Sequence, residues 1–399
     1  MVYVKRYFNR KNKIIMKKIF IYLIILVLFQ SCSLNFKNLP EPESLYLIGT
    51  KIITFEDYYR EEWFTEEKKD NRKIVVQVWY PAESKSDSLS SYLDNFNVKQ
   101  KYISEQLGIP QKIISGLKNI KTNSFYNAKI INQEFPVVFF SHGLGGTKTQ
   151  NSINIEALVS NGYIVIAMDH SYDAFLTVFD DGSTAEFKSG LHDNATEEEF
   201  WEKRLPQINT RSNDISFIID KFKELKIQGL DIAKSCDLNK IGIFGHSFGG
   251  GTGIVSSYFD DRISACLTLD GWLEPVPQEI INKGLNIPYC FIGQIQTQWK
   301  DAQYNDKKLK EFHQNNNNSS FIFEINKSKH MDYADIPYIA PASRIIYVSG
   351  ETISGKAGKN ITLDLNKTIV DFFNQYLKNT PTKWYDNIIE KYDTKFLIK

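Results

Sequence analysis

The feature that most constrains the fold is a strand, a sharp turn and a helix that follow one another between Asp237 and Val255. The apolar run Ile241 to Phe244 predicts a buried strand, and the small residues 250–255 begin a helix. Between them stands Gly245-His246-Ser247-Phe248-Gly249, a G-x-S-x-G sequence that by itself also fits an ordinary glycine-rich turn. In this setting the glycines leave room around a serine on strained backbone. The pattern predicts a nucleophile elbow, with the Ser247 hydroxyl in front of a helix N-terminus.

A second glycine-rich turn follows the apolar run Pro136 to Phe140, which predicts another buried strand. The turn reads Ser141-His142-Gly143-Leu144-Gly145-Gly146, and its glycines allow the backbone to present an amide toward an oxyanion. We therefore predict an oxyanion hole made of the backbone N–H groups of Leu144 and Phe248. His142 is a candidate base, but its place in a motif that shapes the backbone favours a structural role.

A serine nucleophile needs a histidine that accepts its proton and a carboxylate that orients this histidine. Two histidines follow Ser247 in the chain. His313 falls in a charged, helix-like run that we interpret as solvated surface. His330 follows the last predicted strand of the core, where the catalytic loop belongs, so the sequence favours His330 as the base.

The candidate acid is Asp270, which ends the predicted strand Ile263 to Leu269. The next predicted strand, Ile287 to Gly293, runs into the sequence QIQTQWK, which contains amides but no carboxylate. Position and exclusion therefore both favour Asp270, the alternative being a polar cap at the strand end. The predicted catalytic residues are Ser247, Asp270 and His330, and we expect neither a metal nor a cofactor.

Apolar runs of strand length alternate with helical patterns along most of the chain. Strands are predicted at Tyr163 to Met168 and Phe321 to Ile325, and helices at Arg204 to Leu225 and Leu365 to Tyr376. Such alternation implies right-handed crossovers in a mostly parallel sheet. Together with the elbow it predicts the α/β-hydrolase fold. Residues 92–124 have a helical pattern that fits either packing helices or a lid that shapes the substrate mouth.

The N-terminal segment has the pattern of a bacterial secretory signal of the lipoprotein type. Met16-Lys17-Lys18 precedes eleven apolar residues, Ile19 to Phe29, which are too few to cross the hydrocarbon core as a helix. Cys32 then stands where the lipid-bearing cysteine would follow cleavage, so we predict lipidation of Cys32 and location in the bacterial cell envelope, on the periplasmic or surface face. An incidental cysteine after an ordinary signal is the alternative, and Met16 is an alternative start.

Composition is consistent with one large domain: 42% of the residues are hydrophobic and 14% aromatic. Residues 1–31 hold seven basic residues and no acid, and the rest of the chain holds 41 basic against 47 acidic residues, which excludes nucleic acid as an expected partner.

Cys236, Cys266 and Cys290 lack the spacing of metal ligands and are expected to be buried and to pack as apolar residues. The predicted organisation is a signal peptide (1–31), a tether (32–44), a hydrolase domain (45–380) and a C-terminal tail (381–399).

The motifs resemble those of the platelet-activating factor acetylhydrolases of the plasma and intracellular type II kind. The resemblance runs from about Lys73 to Tyr338 and is carried by four stretches: Ser141 to Gly145, Gly245 to Gly250, Asp270-Gly271-Trp272, and His330 followed by Asp332-Tyr333-Ala334-Asp335. It implies a calcium-independent serine hydrolase that removes short or oxidised acyl chains from the sn-2 position of phospholipids. It also implies that residues 92–124 occupy the place of membrane-docking helices.

The leading hypothesis is therefore ester hydrolysis through an acyl-enzyme at Ser247, with a phospholipid or a smaller ester as substrate. Two alternatives remain open. One is a peptidase or an esterase for polyesters or acetylated sugars on the same fold. The other is an envelope-anchored binding protein that keeps the fold without catalysis.

Overall fold

The structure is a computed structural model that describes residues 34–399 except 44, 68–69, 193–194, 299–301, 342, 344–346 and 349–350. The predicted signal peptide (1–31) and the predicted lipidation site Cys32 lie outside these residues. Within the described part of the chain, no helix is both long enough and apolar enough to cross a membrane.

The strands belong to one large sheet and two small hairpins. In chain order they are β1 (Leu47–Glu61), β2 (Asn71–Ala82), β3 (Leu89–Ser91), β4 (Lys121–Tyr126), β5 (Phe135–Ser141), β6 (Ile164–Asp169), β7 (Leu176–Val178), β8 (Thr184–Glu186), β9 (Cys236–His246), β10 (Ile263–Leu269), β11 (Tyr289–Gln294), β12 (Ser320–Ile325), β13 (Tyr347–Val348), β14 (Glu351–Thr352) and β15 (Thr394–Ile398).

The large sheet has eleven strands in the order β15-β12-β11-β10-β9-β5-β6-β2-β1-β4-β3. Its six central strands, from β12 to β6, are parallel, and β2 and β15 flank them in antiparallel pairing. The parallel strands bury both faces, which explains why they are continuous apolar runs in the sequence. Their carboxyl ends meet at one edge, which we call the active edge.

The helices cover both faces of the sheet. In chain order the α-helices are α1 (Phe96–Leu107), α2 (Gln111–Ile114), α3 (Ser152–Ser160), α4 (Glu197–Ile227), α5 (Asp231–Lys234), α6 (Phe248–Phe259), α7 (Gln278–Lys283), α8 (Ala302–Asn315), α9 (Ile336–Ile339), α10 (Ile361–Leu377) and α11 (Asp386–Lys391). Short 3₁₀ helices lie at Ser115–Asn119, Gln296–Gln298 and His330–Tyr333.

Two apolar cores follow from this layering. Side chains of α4, α6, α7 and α8 pack on one face of the sheet, and side chains of α3, α10 and α11 pack on the other. The long helix α4 begins at a capping box in which Thr196 and Glu199 bond each other's backbone N–H groups. The predicted fold class, a mostly parallel sheet flanked by helices, is therefore confirmed.

The ends of the chain pack more closely than predicted. In the predicted tether, Leu39 is buried, and the Leu34 N–H donates to the Ile113 carbonyl at 2.9 Å. The segment 381–399, predicted as a tail, contains α11 and the strand β15, which pairs with β12 and extends the sheet. The residues of this edge strand are mostly exposed and do not alternate between polar and apolar, so the sequence gives no clear strand signal.

One local interpretation of the sequence is wrong. His313, expected on the solvated face of a helix, is on α8 but buried, and its Nδ1 lies 2.8 Å from Ser320 Oγ. This contact lies at the amino end of β12, which is the end opposite the active edge.

Candidate active site

Ser247 stands at a sharp turn between β9 and α6, as the elbow pattern predicts. Its backbone has φ 56° and ψ −122°, a conformation that non-glycine residues rarely adopt. A Cβ at position 245 would lie 2.2 Å from the Gly249 carbonyl oxygen, and one at 249 would lie 1.9 Å from that of Ser141. The two glycines are therefore required by the close approach of backbone segments at the turn.

Asp270 and His330 meet at the same edge of the sheet. Asp270 follows the last residue of β10, again at a positive φ (45°), and its carboxylate is fully buried. His330 begins the 3₁₀ helix after β12, and its Nδ1 lies 2.6 Å from Asp270 Oδ2. The side chain of His330 is 27% exposed, so this imidazole has one face in the protein and access to the solvent side.

Backbone contacts connect this pair to the elbow. The Ser247 N–H donates to the Leu269 carbonyl at 3.0 Å, and the Ser247 carbonyl accepts the Trp272 N–H at 2.8 Å. The ring of His330 packs against the ring of His246, with centroids 4.5 Å apart and the ring planes tilted by 33°. The residue just before the serine thus contacts the imidazole, and the structure brings the three sequence-predicted residues to one place.

Two glutamines from the end of β11 and the segment after it hold the Asp270 carboxylate. Gln294 donates to it from its backbone N–H at 2.9 Å and from Nε2 at 3.1 Å, and Gln296 donates from Nε2 at 3.1 Å. Asn305 in turn donates to Gln296 Oε1. A Cβ at Gly293 would lie 2.4 Å from Asp270 Oδ1, so this glycine makes room for the carboxylate. The sequence after β11, which contains no carboxylate of its own, therefore supplies hydrogen-bond donors to the carboxylate of Asp270.

The predicted oxyanion-hole residues flank the serine. Leu144 lies in the turn after β5, and Phe248 is the first residue of α6. A Cβ on Gly143 would lie 3.2 Å from Ser247 Cβ, which shows how closely this turn approaches the nucleophile. Among the described residues, neither the Leu144 nor the Phe248 N–H donates a hydrogen bond. Both amides are thus available to an oxyanion.

A second Ser–His–Asp arrangement lies beneath the turn. Ser141 Oγ is 3.0 Å from His170 Nε2, and His170 Nδ1 is 2.9 Å from Asp214 Oδ2. All three side chains are fully buried, and Arg72 binds Asp214 through Nε and Nη2 at 3.1 and 2.7 Å. Burial and then the charge of Arg211 lower the pKa of His170 to about 3. This arrangement has the geometry of a catalytic triad without access to a substrate.

His142 also has a structural place. Its Nδ1 donates to the Gly143 carbonyl at 2.6 Å, and its Nε2 accepts the His170 N–H at 3.2 Å. Burial and then the nearby Arg211 hold the pKa of His142 well below its usual range. The imidazole is neutral, fixed in one tautomer and committed on both nitrogens to backbone groups.

Arg211 is a buried cation behind the oxyanion turn. Its Nη2 donates to the His142 carbonyl and, at 3.2 Å, to Ser141 Oγ, and its guanidinium lies 4.9 Å from the centre of the Phe248 ring. Burial, opposed by Asp173, lowers the pKa of Arg211 to about 10, so the group stays charged at neutral pH. The positive charge favours an anion forming at the neighbouring amides.

The remaining cysteines match their expected role, since Cys236, Cys266 and Cys290 are free and buried. Within the described part of the chain, no group of three or more His, Cys, Asp or Glu side chains is arranged to hold a metal ion. The site residues that the sequence did not reveal are Gln294, Gln296 and Arg211. Gln294 and Gln296 alternate at the end of the strand beside Asp270, and this spacing was the available signal.

Comparisons with known proteins identify the family of this chain. The family model "Platelet-activating factor acetylhydrolase, isoform II" matches residues 36–396. The dog (Canis lupus familiaris) platelet-activating factor acetylhydrolase is 26% identical over 94% of this chain and 85% of the relative. A probable 1-alkyl-2-acetylglycerophosphocholine esterase of Arthroderma benhamiae is 30% identical over 36% of this chain and 33% of its own length.

A solved structure, a ferulic acid esterase from Streptomyces cinnamoneus, superposes with a TM-score of 0.73 at 21% identity. The match covers 90% of this chain and 99% of the esterase. At this identity the likeness concerns the fold alone, and it confirms the predicted α/β-hydrolase fold.

Proposed function

This chain belongs to the platelet-activating factor acetylhydrolase family, isoform II, and from that premise we propose that Ser247, His330 and Asp270 hydrolyse acetyl esters through an acyl-enzyme. The chain is a serine ester hydrolase of the α/β-hydrolase fold. One observation carries the assignment of residues: a serine on a strained elbow and a buried carboxylate bonded to a half-exposed histidine stand at the same edge of the sheet.

The reaction begins when Ser247 Oγ attacks the ester carbonyl carbon and His330 Nε2 accepts the hydroxyl proton. Asp270 receives the Nδ1–H bond of His330, which fixes the tautomer and stabilises the imidazolium that forms. When the tetrahedral intermediate collapses, the alcohol leaves with the proton from His330. Water then attacks the acyl-enzyme, His330 takes a proton from it, and the carboxylic acid departs as Ser247 recovers its proton.

The backbone amides of Leu144 and Phe248 stabilise the oxygen anion of each tetrahedral intermediate. Their N–H groups are oriented in advance by the turn after β5 and by the start of α6, so little reorganisation is needed when the charge forms. Arg211, stacked on Phe248, adds a fixed positive charge behind them. In comparable sites one such donor contributes about 10²–10³-fold in rate.

We propose short acyl chains, acetyl above all, at the sn-2 position of a phospholipid as the substrate. The printed names of the relatives support this class, since they are acetylhydrolases and an alkylacetylglycerophosphocholine esterase. Trp272 lies beside the elbow, since its N–H donates to the Ser247 carbonyl and its ring lies 5.7 Å from that of Phe248.

A nucleophile test separates this proposal from a non-catalytic binding protein. We expect Ser247→Ala to lose at least about 10⁴-fold in p-nitrophenyl acetate hydrolysis and all labelling by a fluorophosphonate probe. The matched control is Ser141→Ala, which removes the serine of the buried Ser–His–Asp arrangement and should keep the label on Ser247. Full activity of Ser247→Ala, or loss of the label only in Ser141→Ala, would overturn the assignment.

A substrate panel tests the substrate class. The purified protein should cleave 2-acetyl phospholipids faster than the same lipids with long sn-2 chains, and faster than acetylated sugars or peptides. A preference for acetylated sugars or for peptides would support the alternative hydrolases on this fold instead.

We further propose that Cys32 carries a lipid that holds the enzyme on the bacterial envelope. The apolar run Ile19 to Phe29 followed by this cysteine supports the proposal. The described chain begins close to α2, because the N–H of Leu34, two residues later, donates to the Ile113 carbonyl. A lipid at Cys32 would therefore lie near α1 and α2, where Val98 and Leu107 are exposed. Those two helices would then face the membrane.

The anchor is tested by expressing the full chain and a Cys32→Ser variant in a bacterium fed radiolabelled palmitate. Label and membrane fractionation of the first, both lost in the second, are expected. Equal membrane association of both proteins would contradict lipidation at this cysteine.

A further inference from the structure

A chain of hydrogen bonds crosses the active edge through two side chains, those of Gln150 and His246, that take no part in the proton transfers. Gln150 Oε1 accepts the Gly143 N–H at 2.8 Å, and Gln150 Nε2 lies 3.0 Å from His246 Nδ1. His246 Nε2 lies 3.0 Å from the His330 carbonyl oxygen. The chain, which we call the Gln150–His246 strap, thus joins the oxyanion turn, the elbow and the loop of the catalytic histidine.

Donor and acceptor chemistry fixes every proton in the strap. The His330 carbonyl can only accept, so His246 must carry its proton on Nε2. Nδ1 of neutral His246 then carries a lone pair and accepts a hydrogen bond from Gln150 Nε2. The amide oxygen of Gln150 remains free to accept the Gly143 N–H. The assignment requires neutral His246, and burial, followed by the neighbouring His330, holds the pKa of His246 well below its usual range.

The glycines of the oxyanion turn are shaped around this side chain. A Cβ on Gly146 would lie 2.6 Å from Gln150 Oε1, and a Cβ on Gly143 would lie 3.1 Å from His246 Nδ1 and 3.5 Å from Gln150 Nε2. Both glycines therefore leave the space that the strap occupies. The backbone of Gln150 is itself held, since its carbonyl accepts the Asp335 N–H at 3.0 Å.

We propose that Gln150 and His246 are positioning residues, which hold the oxyanion-hole amide of Leu144 and the imidazole of His330 in register with Ser247. This inference rests on the proposed function and goes beyond it, because it assigns a role to two side chains that exchange no proton with the substrate. The strap ties Gly143, the neighbour of Leu144, to the loop that carries His330. A displacement of about 1 Å at such groups costs about 10²-fold in rate.

The test compares Gln150→Leu with a matched control, Asn374→Leu. Asn374 Oδ1 accepts the Tyr163 hydroxyl at 2.8 Å at the start of β6, on the side of the sheet opposite the active edge. Active sites are counted by the burst of p-nitrophenol from a p-nitrophenyl phosphonate, so kcat is expressed per reactive serine. We expect kcat of Gln150→Leu to fall about 10–100-fold with KM within about threefold of wild type. Asn374→Leu should keep the wild-type kcat.

A second variant, Gln150→Glu, keeps the acceptor for Gly143 but places an oxygen against the Nδ1 lone pair of His246. The strap then forms only with one additional proton, on the carboxyl or on the imidazole. The titratable group in contact with His246 within the described residues is His330. We therefore expect the ratio of the Gln150→Glu kcat to the wild-type kcat to fall as the pH rises and this proton is lost, a change that mere loss of packing would not produce.

The outcomes separate the two proposals. A wild-type protein without a burst would defeat the proposed function, whereas a wild-type burst with kcat of Gln150→Leu within twofold of wild type would defeat the strap. Nitrogen-15 NMR of the imidazoles gives a readout besides activity: the wild type should show His246 as the neutral Nε2–H tautomer. An Nδ1–H tautomer would contradict the strap even if Gln150→Leu is slow or unfolded.

Discussion

Replacing Asp270 by Asn tests the site at the group on which the tautomer of His330 depends. The carboxylate only accepts, so its 2.6 Å contact requires a proton on His330 Nδ1 and leaves Nε2 free to receive the serine proton. An amide in its place can donate to Nδ1, which moves the imidazole proton to Nε2. The histidine can then no longer act as the base.

The surroundings of Asp270 favour this change of the His330 tautomer in Asp270→Asn. In the wild type the buried carboxylate accepts three further bonds from Gln294 and Gln296, which is a stable arrangement only for an anion. In Asp270→Asn one amide hydrogen must turn toward His330, because the side of the other oxygen already faces two N–H donors. Loss of the correct tautomer in serine hydrolases costs about 10⁴-fold in kcat, or about 5.5 kcal/mol of transition-state stabilisation.

The assay is kcat for p-nitrophenyl acetate at pH 7, normalised to active sites, with thermal unfolding measured on the same samples. Asn has the volume of Asp, so the fold should persist while kcat falls. An Asp270→Asn protein that keeps more than about a tenth of the wild-type kcat would show that another group orients His330, and the assignment of the acid would be refuted.

Two further predictions address the groups around the site. Gln296→Leu removes one donor to the Asp270 carboxylate. Since a hydrogen bond to a charged group is worth about 1.5–3 kcal/mol, kcat should fall about tenfold or more. The control is Gln228→Leu, at an exposed glutamine, which should keep the wild-type kcat. The second prediction concerns His170, because burial lowers the pKa of its imidazole from 6.5 to about 3. Below pH 6.5 the unfolded chain binds a proton at His170 that the folded protein does not bind. The contribution of neutral His170 to the free energy of unfolding is therefore complete above pH 6.5 and is lost as the pH falls toward 3. The free energy of unfolding of the wild type minus that of His170→Gln, from urea titrations at pH 7, 6, 5 and 4.5, should therefore shrink by about 1.4 kcal/mol per pH unit below about 6, and a constant difference would contradict a buried neutral His170.

The elbow could be predicted from the sequence because its requirements are local. Gly245 is required by a contact within the turn, with the Gly249 carbonyl, and the apolar runs on either side predict the strand and the helix; Gly249 is required by a distant segment, the backbone at Ser141, but it belongs to the same short motif. The order of acid and histidine after the serine then left few candidates. Asp270 and His330 are bonded to each other in the structure as that order suggests, and their catalytic roles stay predictions.

The supporting polar groups could not be predicted in the same way, since their partners are distant in sequence. Gln150 bonds His246 across 96 positions, and Arg72 bonds Asp214 across 142. Each is an ordinary polar residue until the fold brings its partner close. The same holds for strand β15, whose pairing with β12 stabilises residues that alternate too weakly to announce a strand.

The buried Ser141–His170–Asp214 arrangement carries a lesson for recognising hydrolases by geometric templates. A search for a hydroxyl, an imidazole and a carboxylate at hydrogen-bonding distances would find this arrangement at 3.0 and 2.9 Å. What separates it from the site at Ser247 is the route to solvent and the absence of strain at position 141, since positive φ marks Ser247 and not Ser141. Template searches for this family therefore gain discrimination by scoring the backbone angle of the serine and the openness of the imidazole alongside the three distances.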